Sequence, residues 1–194
     1  MKAIWRPSPN HSPRTQAIKY IVLHGTWMSC AQSALDRLCD PAAEVSCHYL
    51  IDEKGALYQL VKDSEAAWHA GISAWKDDVS LNQSSLGIEL AHSGDVTVPY
   101  TEAQYETLIE LLGVLLTAHR IAPTHVLAHS DIAPDRKNDP GPQFDWNKLY
   151  SAKVAQPLSL QPRLSYEDLK HLGYVGSKQV VEKAYKLRLG VASL

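Results

Sequence analysis

Two histidines stand directly after short apolar runs, His24 after Tyr20-Ile-Val-Leu23 and His129 after His125-Val-Leu-Ala128. The ends of strands in α/β sheets are where sites usually assemble. Asp139 follows ten residues after His129, in a stretch punctuated by Pro134, Pro140, Gly141 and Pro142 that can fold back toward it. Two imidazoles and one carboxylate match a catalytic zinc site, which takes three protein ligands and leaves a fourth position for water. The chain holds nine histidines, so two at strand ends can also arise by chance, and the pattern alone leaves the trio open. Three cysteines, Cys30, Cys39 and Cys47, form no close pair and support neither a disulfide framework nor a cysteine-rich zinc module. They read as small buried apolar groups.

Elements must hold these side chains. Residues 17–23 are β-branched and aromatic, the pattern of a buried strand ended by His24-Gly25-Thr26. A short helical pattern over 33–38 is closed by Asp40-Pro41. Residues 46–52 and 56–61 flank Glu53-Lys54-Gly55, a turn with glycine available for positive φ, which predicts a hairpin. Residues 85–91 read as an apolar strand that Gly87 interrupts. Thr101 and Gln104 make a capping pair, after which Tyr105, Leu108, Ile109, Leu112, Leu115 and Leu116 recur at helical spacing up to His119. The leucines of 108–116 are assigned to the core. A brief strand over 125–128 delivers His129, and 130–146 reads as loop.

Strands alternating with helices predict an α/β domain, placed at residues 1–155. Residues 156–194 read as a linker with Pro157 and Pro162, followed by a short helical tail around Gly173. So short a tail is expected to lean on the main domain. The 194 residues suit one domain with an appendage, and 19 basic against 21 acidic residues give a net charge of −2, which argues against a broad electrostatic grip on nucleic acid. No apolar stretch is long enough to predict a membrane span. The N-terminus lacks a signal-peptide core, which fits a cytoplasmic or phage-encoded product, or an envelope protein whose leader has been removed. Oligomeric state is not legible.

The run from His129 to Trp146, His-Ser-Asp-Ile-Ala-Pro-Asp-Arg-Lys-Asn-Asp-Pro-Gly-Pro-Gln-Phe-Asp-Trp, resembles the signature of the zinc-dependent N-acetylmuramoyl-L-alanine amidases, the superfamily that includes peptidoglycan recognition proteins and phage lysozyme-type amidases. Ile21-Val-Leu-His24, Val45-Ser-Cys-His48-Tyr-Leu-Ile51, Ala67-Trp68-His69-Ala70-Gly71 and Ser85-Leu-Gly-Ile-Glu89 match in the same order, over residues 4–150. The AmiD and AmpD bacterial branch is the part of the superfamily that the chain resembles. The resemblance implies a central mixed β-sheet flanked by helices, with a short helical C-terminal tail.

It also implies roles. His24, His129 and Asp139 would hold one Zn2+ per chain, Glu89 would be the general base and later the acid, and Lys137 would stabilise the oxyanion. The scissile amide would join N-acetylmuramic acid to the first L-alanine of the stem peptide, in peptidoglycan or in muropeptides. His48, Trp68, His69 and Asn82 are candidates for the walls of the substrate groove, and Arg136 and Lys54 are cations for stem carboxylates. By itself His48, between Cys47 and Tyr49, reads first as a packed histidine, Glu89 as a solvated strand-end carboxylate and Lys137 as a loop lysine. The phage enzymes carry a catalytic tyrosine where this chain has Cys47, which shifts acid–base duty to Glu89.

Alternatives are a non-catalytic peptidoglycan-binding protein of the same fold and a phage endolysin of the same chemistry. The tail order of Leu169, Leu172, Gly173, Tyr174, Ala184, Tyr185 and Arg188 is similar to the start of a small helical peptidoglycan-binding module. A truncated module and a packing appendage are both open readings.

Overall fold

Parallel pairing governs the centre of the computed structural model, which describes residues 2–159 and 164–191. Among these residues the elements run, in chain order, β1 (Ile4–Trp5), β2 (His11–Pro13), β3 (Tyr20–Gly25), α1 (Ala31–Cys39), β4 (Tyr49–Ile51), β5 (Leu57–Gln59), β6 (Glu65–Ala67), β7 (Ala74–Trp75), β8 (Asp78–Val79), β9 (Ser85–Leu90), α2 (Glu102–His119), β10 (Val126–Ala128), α3 (His129–Ile132), α4 (Trp146–Ser151), α5 (Tyr166–Leu172) and α6 (Lys178–Arg188). The main sheet has the order β1-β5-β4-β9-β3-β10. Only β4 and β5 pair antiparallel within it, which is the hairpin expected around Gly55. The fold is the mixed sheet flanked by helices that the resemblance implies.

Strand alternation divides the sheet into two unlike faces. Ile21 and Leu23 of β3, Leu86, Ile88 and Leu90 of β9, and Val126 and Ala128 of β10 pack with Leu108, Leu112 and Leu115 of α2. The other face receives Tyr20 and Val22, then His24, and from β9 it receives Ser85, Gly87 and Glu89. The apolar strand read over 85–91 therefore has one apolar edge and one edge made of a hydroxyl, a gap and a carboxylate.

Several boundaries differ from the sequence reading. β3 begins at Tyr20, where the ladder to β9 begins at Ser85, so residues 17–19 lie outside the ladder. α1 begins at Ala31 and buries Ala34, Leu35 and Leu38 against Cys47, Leu50 and Leu60. Of the cysteines only Cys47 is buried; Cys30 sits exposed at the mouth of α1 and Cys39 is half-buried at its end. α2 carries the expected capping box, with Thr101 Oγ1 accepting from Gln104 N–H at 3.2 Å and Gln104 Oε1 accepting from Thr101 N–H at 3.0 Å. The stretch 130–146 is not all loop: His129–Ile132 is a helical turn, closed by Asp131 Oδ2 accepting from Ala128 N–H at 2.8 Å.

The linker read at 156–162 lies partly outside the described residues. Beyond it, Leu169, Tyr174, Val181, Ala184 and Tyr185 share one apolar cluster with Tyr20, Val22, Leu127 and Ile132. The tail thus covers the sheet face that carries the histidines.

Candidate active site

Register brings the chemistry together. β3 and β9 place His24 opposite Glu89, and β10, parallel to β3, delivers His129 at the start of α3 beside His24. The following loop returns Asp139, whose carbonyl accepts from Ser130 N–H at 3.0 Å. His24 Nδ1 and His129 Nδ1 lie 2.9 Å apart, and Asp139 Oδ2 is 3.4 Å from the first and 3.0 Å from the second. Among the described residues this trio is the His/Cys/Asp/Glu group whose ligand atoms converge closely enough to hold a metal ion.

Proton assignment from the hydrogen-bond network tests whether the trio fits a cation. Ser85 Oγ donates to the Leu81 carbonyl at 2.6 Å, so it accepts from His69 Nε2 at 3.1 Å. His69 Nδ1 is then the acceptor for His24 Nε2 at 3.0 Å. His129 Nε2 faces the Ala70 carbonyl at 3.3 Å and must donate to it. Both Nε2 atoms carry protons, which leaves both Nδ1 lone pairs aimed at each other and at a carboxylate oxygen. Three electron-pair donors facing one another are suited to a divalent ion, and imidazole with carboxylate suits zinc. The outer hydrogen bonds are the usual means of fixing a ligating imidazole.

Electrostatics follow from burial. Burial pushes His24 down to about 4, with His129 adding to the effect, and burial holds His69 well below the ordinary imidazole value, with His24 next in weight. Both rings are therefore neutral near pH 7. Burial by itself would raise Asp139, but His129 and His24 outweigh it and hold the carboxyl well below the usual carboxylate range. Glu89 is pushed up to about 8, first by burial and then by Asp139, with Lys137 opposing. Its Oε2 is buried without a partner among the described residues.

A cleft of about 580 Å3 opens beside the trio, and Glu89, Lys137, Trp68, His69 and Arg136 line it. The wall residues read from the sequence are placed unequally. Trp68 is half-buried on the cleft, and His69 shows an edge there while acting mainly on His24. Arg136 borders the cleft, but its guanidinium donates to the Ala70 and Ile72 carbonyls, tying down the loop that carries His69. Asn82 does not reach the cleft; its Oδ1 accepts from the backbone of His69 at 3.1 Å and Ala70 at 2.7 Å. His48 is fully buried beneath the cleft, where Nδ1 accepts from Gly87 N–H at 2.9 Å. Neither side chain lines the cleft: Asn82 faces backbone N–H groups, and His48 faces the Gly87 N–H on one side and the Arg14 guanidinium, 2.9 Å away, on the other. Lys54 lies exposed in the β4–β5 turn, away from the cleft lining.

Other residues at the site were not anticipated. A Cβ on Gly87 would meet His69 Cγ at 2.4 Å, so the interruption of β9 is clearance for the ring. Ser85, two residues earlier on the same face, ends the relay from His24. The glycine is visible in the sequence, but its partner is not. Trp27 and Arg37 also line the cleft, and nothing in the sequence pattern marks them.

A mixed sheet that presents two imidazoles and a carboxylate beside an open cleft defines a candidate metallohydrolase. The chain belongs to the N-acetylmuramoyl-L-alanine amidase family, whose profile matches residues 14–142. AmiD of Escherichia coli K12 is 41% identical over 146 residues, which cover 68% of this chain and 52% of AmiD. AmpD of Enterobacter cloacae, a 1,6-anhydro-N-acetylmuramyl-L-alanine amidase, is 35% identical over 164 residues, covering 75% of this chain and 87% of AmpD. The chain thus spans about half the length of the one relative and most of the other. The structure of Escherichia coli AmiD with the substrate anhydro-N-acetylmuramic acid-L-Ala-D-γ-Glu-L-Lys superposes with a TM-score of 0.78 at 32% identity, covering 94% of this chain and 83% of the chain in that structure.

Proposed function

We propose that this chain is a zinc-dependent amidase that hydrolyses the bond between N-acetylmuramic acid and the L-alanine of the stem peptide, in peptidoglycan or in muropeptides released from it. The observation that carries the reading is the convergence of His24 Nδ1, His129 Nδ1 and Asp139 Oδ2 beside a cleft that Glu89 and Lys137 also line. Zinc bound by these three residues supplies acidification of a water and polarisation of an amide carbonyl.

The chain's own residues do the rest. Glu89 lines the cleft beside the trio; with a divalent ion there favouring its ionised form, it would take a proton from the attacking water and pass it to the departing amine. The Lys137 ammonium stands on the same cleft to balance the negative charge that develops on the scissile oxygen. His69 and Ser85 fix the tautomer of His24, and the Ala70 carbonyl fixes that of His129. Trp68 offers an apolar face to the sugar or stem. The filled donor set and the base on the cleft favour hydrolysis over binding alone.

Purified protein should carry close to one zinc per chain and release stem peptide from anhydro-muropeptides. Running intact sacculi in parallel, with products read by mass spectrometry, separates wall cutting from fragment trimming. A chain without zinc, or one whose His24→Ala variant releases as much peptide as the parent, would refute the proposal.

A further inference from the structure

His129 rests on a weak local support. β10 is three residues long and forms an edge of the main sheet, and α3 behind it is a single turn of four residues. Such short pieces have little stability of their own. The turn is closed by Asp131, a fully buried carboxylate that needs partners inside the protein. Those partners come from the opposite end of the chain. Tyr174 donates its hydroxyl to Asp131 Oδ1 at 2.5 Å, and Arg188 Nη1 donates to Asp131 Oδ2 at 2.5 Å. Arg188 Nη2 donates to the carbonyl of Val126, the first residue of β10, at 3.1 Å. The guanidinium also lies over the ring of Trp146, with its carbon 3.8 Å from the centroid.

One buried arginine therefore grips both the strand that precedes His129 and the acid that closes the turn after it. The planar fork of a guanidinium can do this at fixed spacing, and an ammonium cannot. We infer that Arg188 and Tyr174 are positioning residues for the metal ligand His129, acting through Asp131, and that α5 and α6 complete the metal centre rather than hang from it. The inference rests on the amidase reading, because it assigns His129 to a metal.

The test uses the full chain. Zinc affinity is measured by competition with a chromogenic chelator, and ligand geometry by the visible spectrum of the cobalt-substituted protein. Arg188→Lys keeps the charge and loses the fork; it should weaken zinc binding roughly tenfold, the low end of what loss of an outer-shell partner costs. Tyr174→Phe, a milder change that keeps the ring, should weaken it a few-fold and shift the cobalt bands in the same sense. Val181→Ala trims the same helix where it packs on the core, without touching Asp131, and is the stability control: its melting temperature should fall while zinc affinity stays at the parent value. Should Arg188→Lys fail to fold, Tyr174→Phe against Val181→Ala still decides. Parental affinity and spectra in both tail variants, in a parent that binds zinc tightly, would overturn the positioning role alone; so would a loss of affinity in Val181→Ala equal to theirs. A folded parent that takes up no zinc would overturn the amidase reading and this inference with it.

Discussion

At the scale of single residues, the relay His24–His69–Ser85 separates ligand identity from ligand orientation. Ser85→Ala would leave the His69 Nε2 proton without its acceptor, while the Leu81 carbonyl keeps the Ser84 N–H, a cost of about 1–3 kcal/mol for a buried polar group. It should also reduce zinc affinity by about tenfold, measured by chelator competition. Glu89→Gln should retain zinc and lose most turnover, and undiminished turnover would assign the base elsewhere. The same residue predicts a pH dependence. A carboxyl raised from 4.5 to about 8 makes the folded, metal-free chain bind more protons than the unfolded one between those values. The fold is then most favoured at the acid end of that window and loses stability as pH rises toward 8. Glu89→Gln abolishes this loss, so the melting temperature of the metal-free variant should gain on the parent from pH 5 to pH 8. A variant-minus-parent difference in melting temperature that falls from pH 5 to pH 8 would contradict the burial argument.

At the scale of elements, β9 shows how one strand serves two purposes. Its apolar row packs under α2, and its other row offers a hydroxyl, a space and a carboxylate to the site. Gly87→Ala would drive a methyl into the His69 ring, so we expect a loss of about 1–3 kcal/mol, as for an overpacked interior, together with weakened zinc binding. Denaturant melts and the chelator assay would read the two effects. Thr101→Ala is the contrasting case. It removes the cap of α2, on the opposite face of the sheet from the histidines, and should cost about 1 kcal/mol with zinc affinity and turnover unchanged.

At the scale of the whole molecule, the tail and the sheet share one apolar cluster and one buried ion pair between Arg188 and Asp131. Calorimetry should therefore show a single cooperative transition for the intact chain, whereas a tail that formed its own unit would melt separately. Among the described residues no helix is long and apolar enough to cross a membrane.

Residue order alone carried the fold class, because strand and helix periodicities are local and the alternation of elements follows from them. Spacing left the trio His24, His129 and Asp139 open, because histidines at strand ends also arise by chance; the resemblance of the His129 to Trp146 run made it an expected ligand set, and the fold brings the three ligand atoms together. The capping pair Thr101 and Gln104 was legible because both partners lie within one helical turn. What only the tertiary structure decided is which rings reach the cleft and which lie beneath it. His48 and His69 look alike in sequence, yet the first is held by the backbone of Gly87 and the second touches His24. Arg188 and Asp131 are 57 residues apart, and a pairing over that distance leaves no periodic trace. Local spacing names the atoms that can do chemistry, and long-range packing fixes where their lone pairs point.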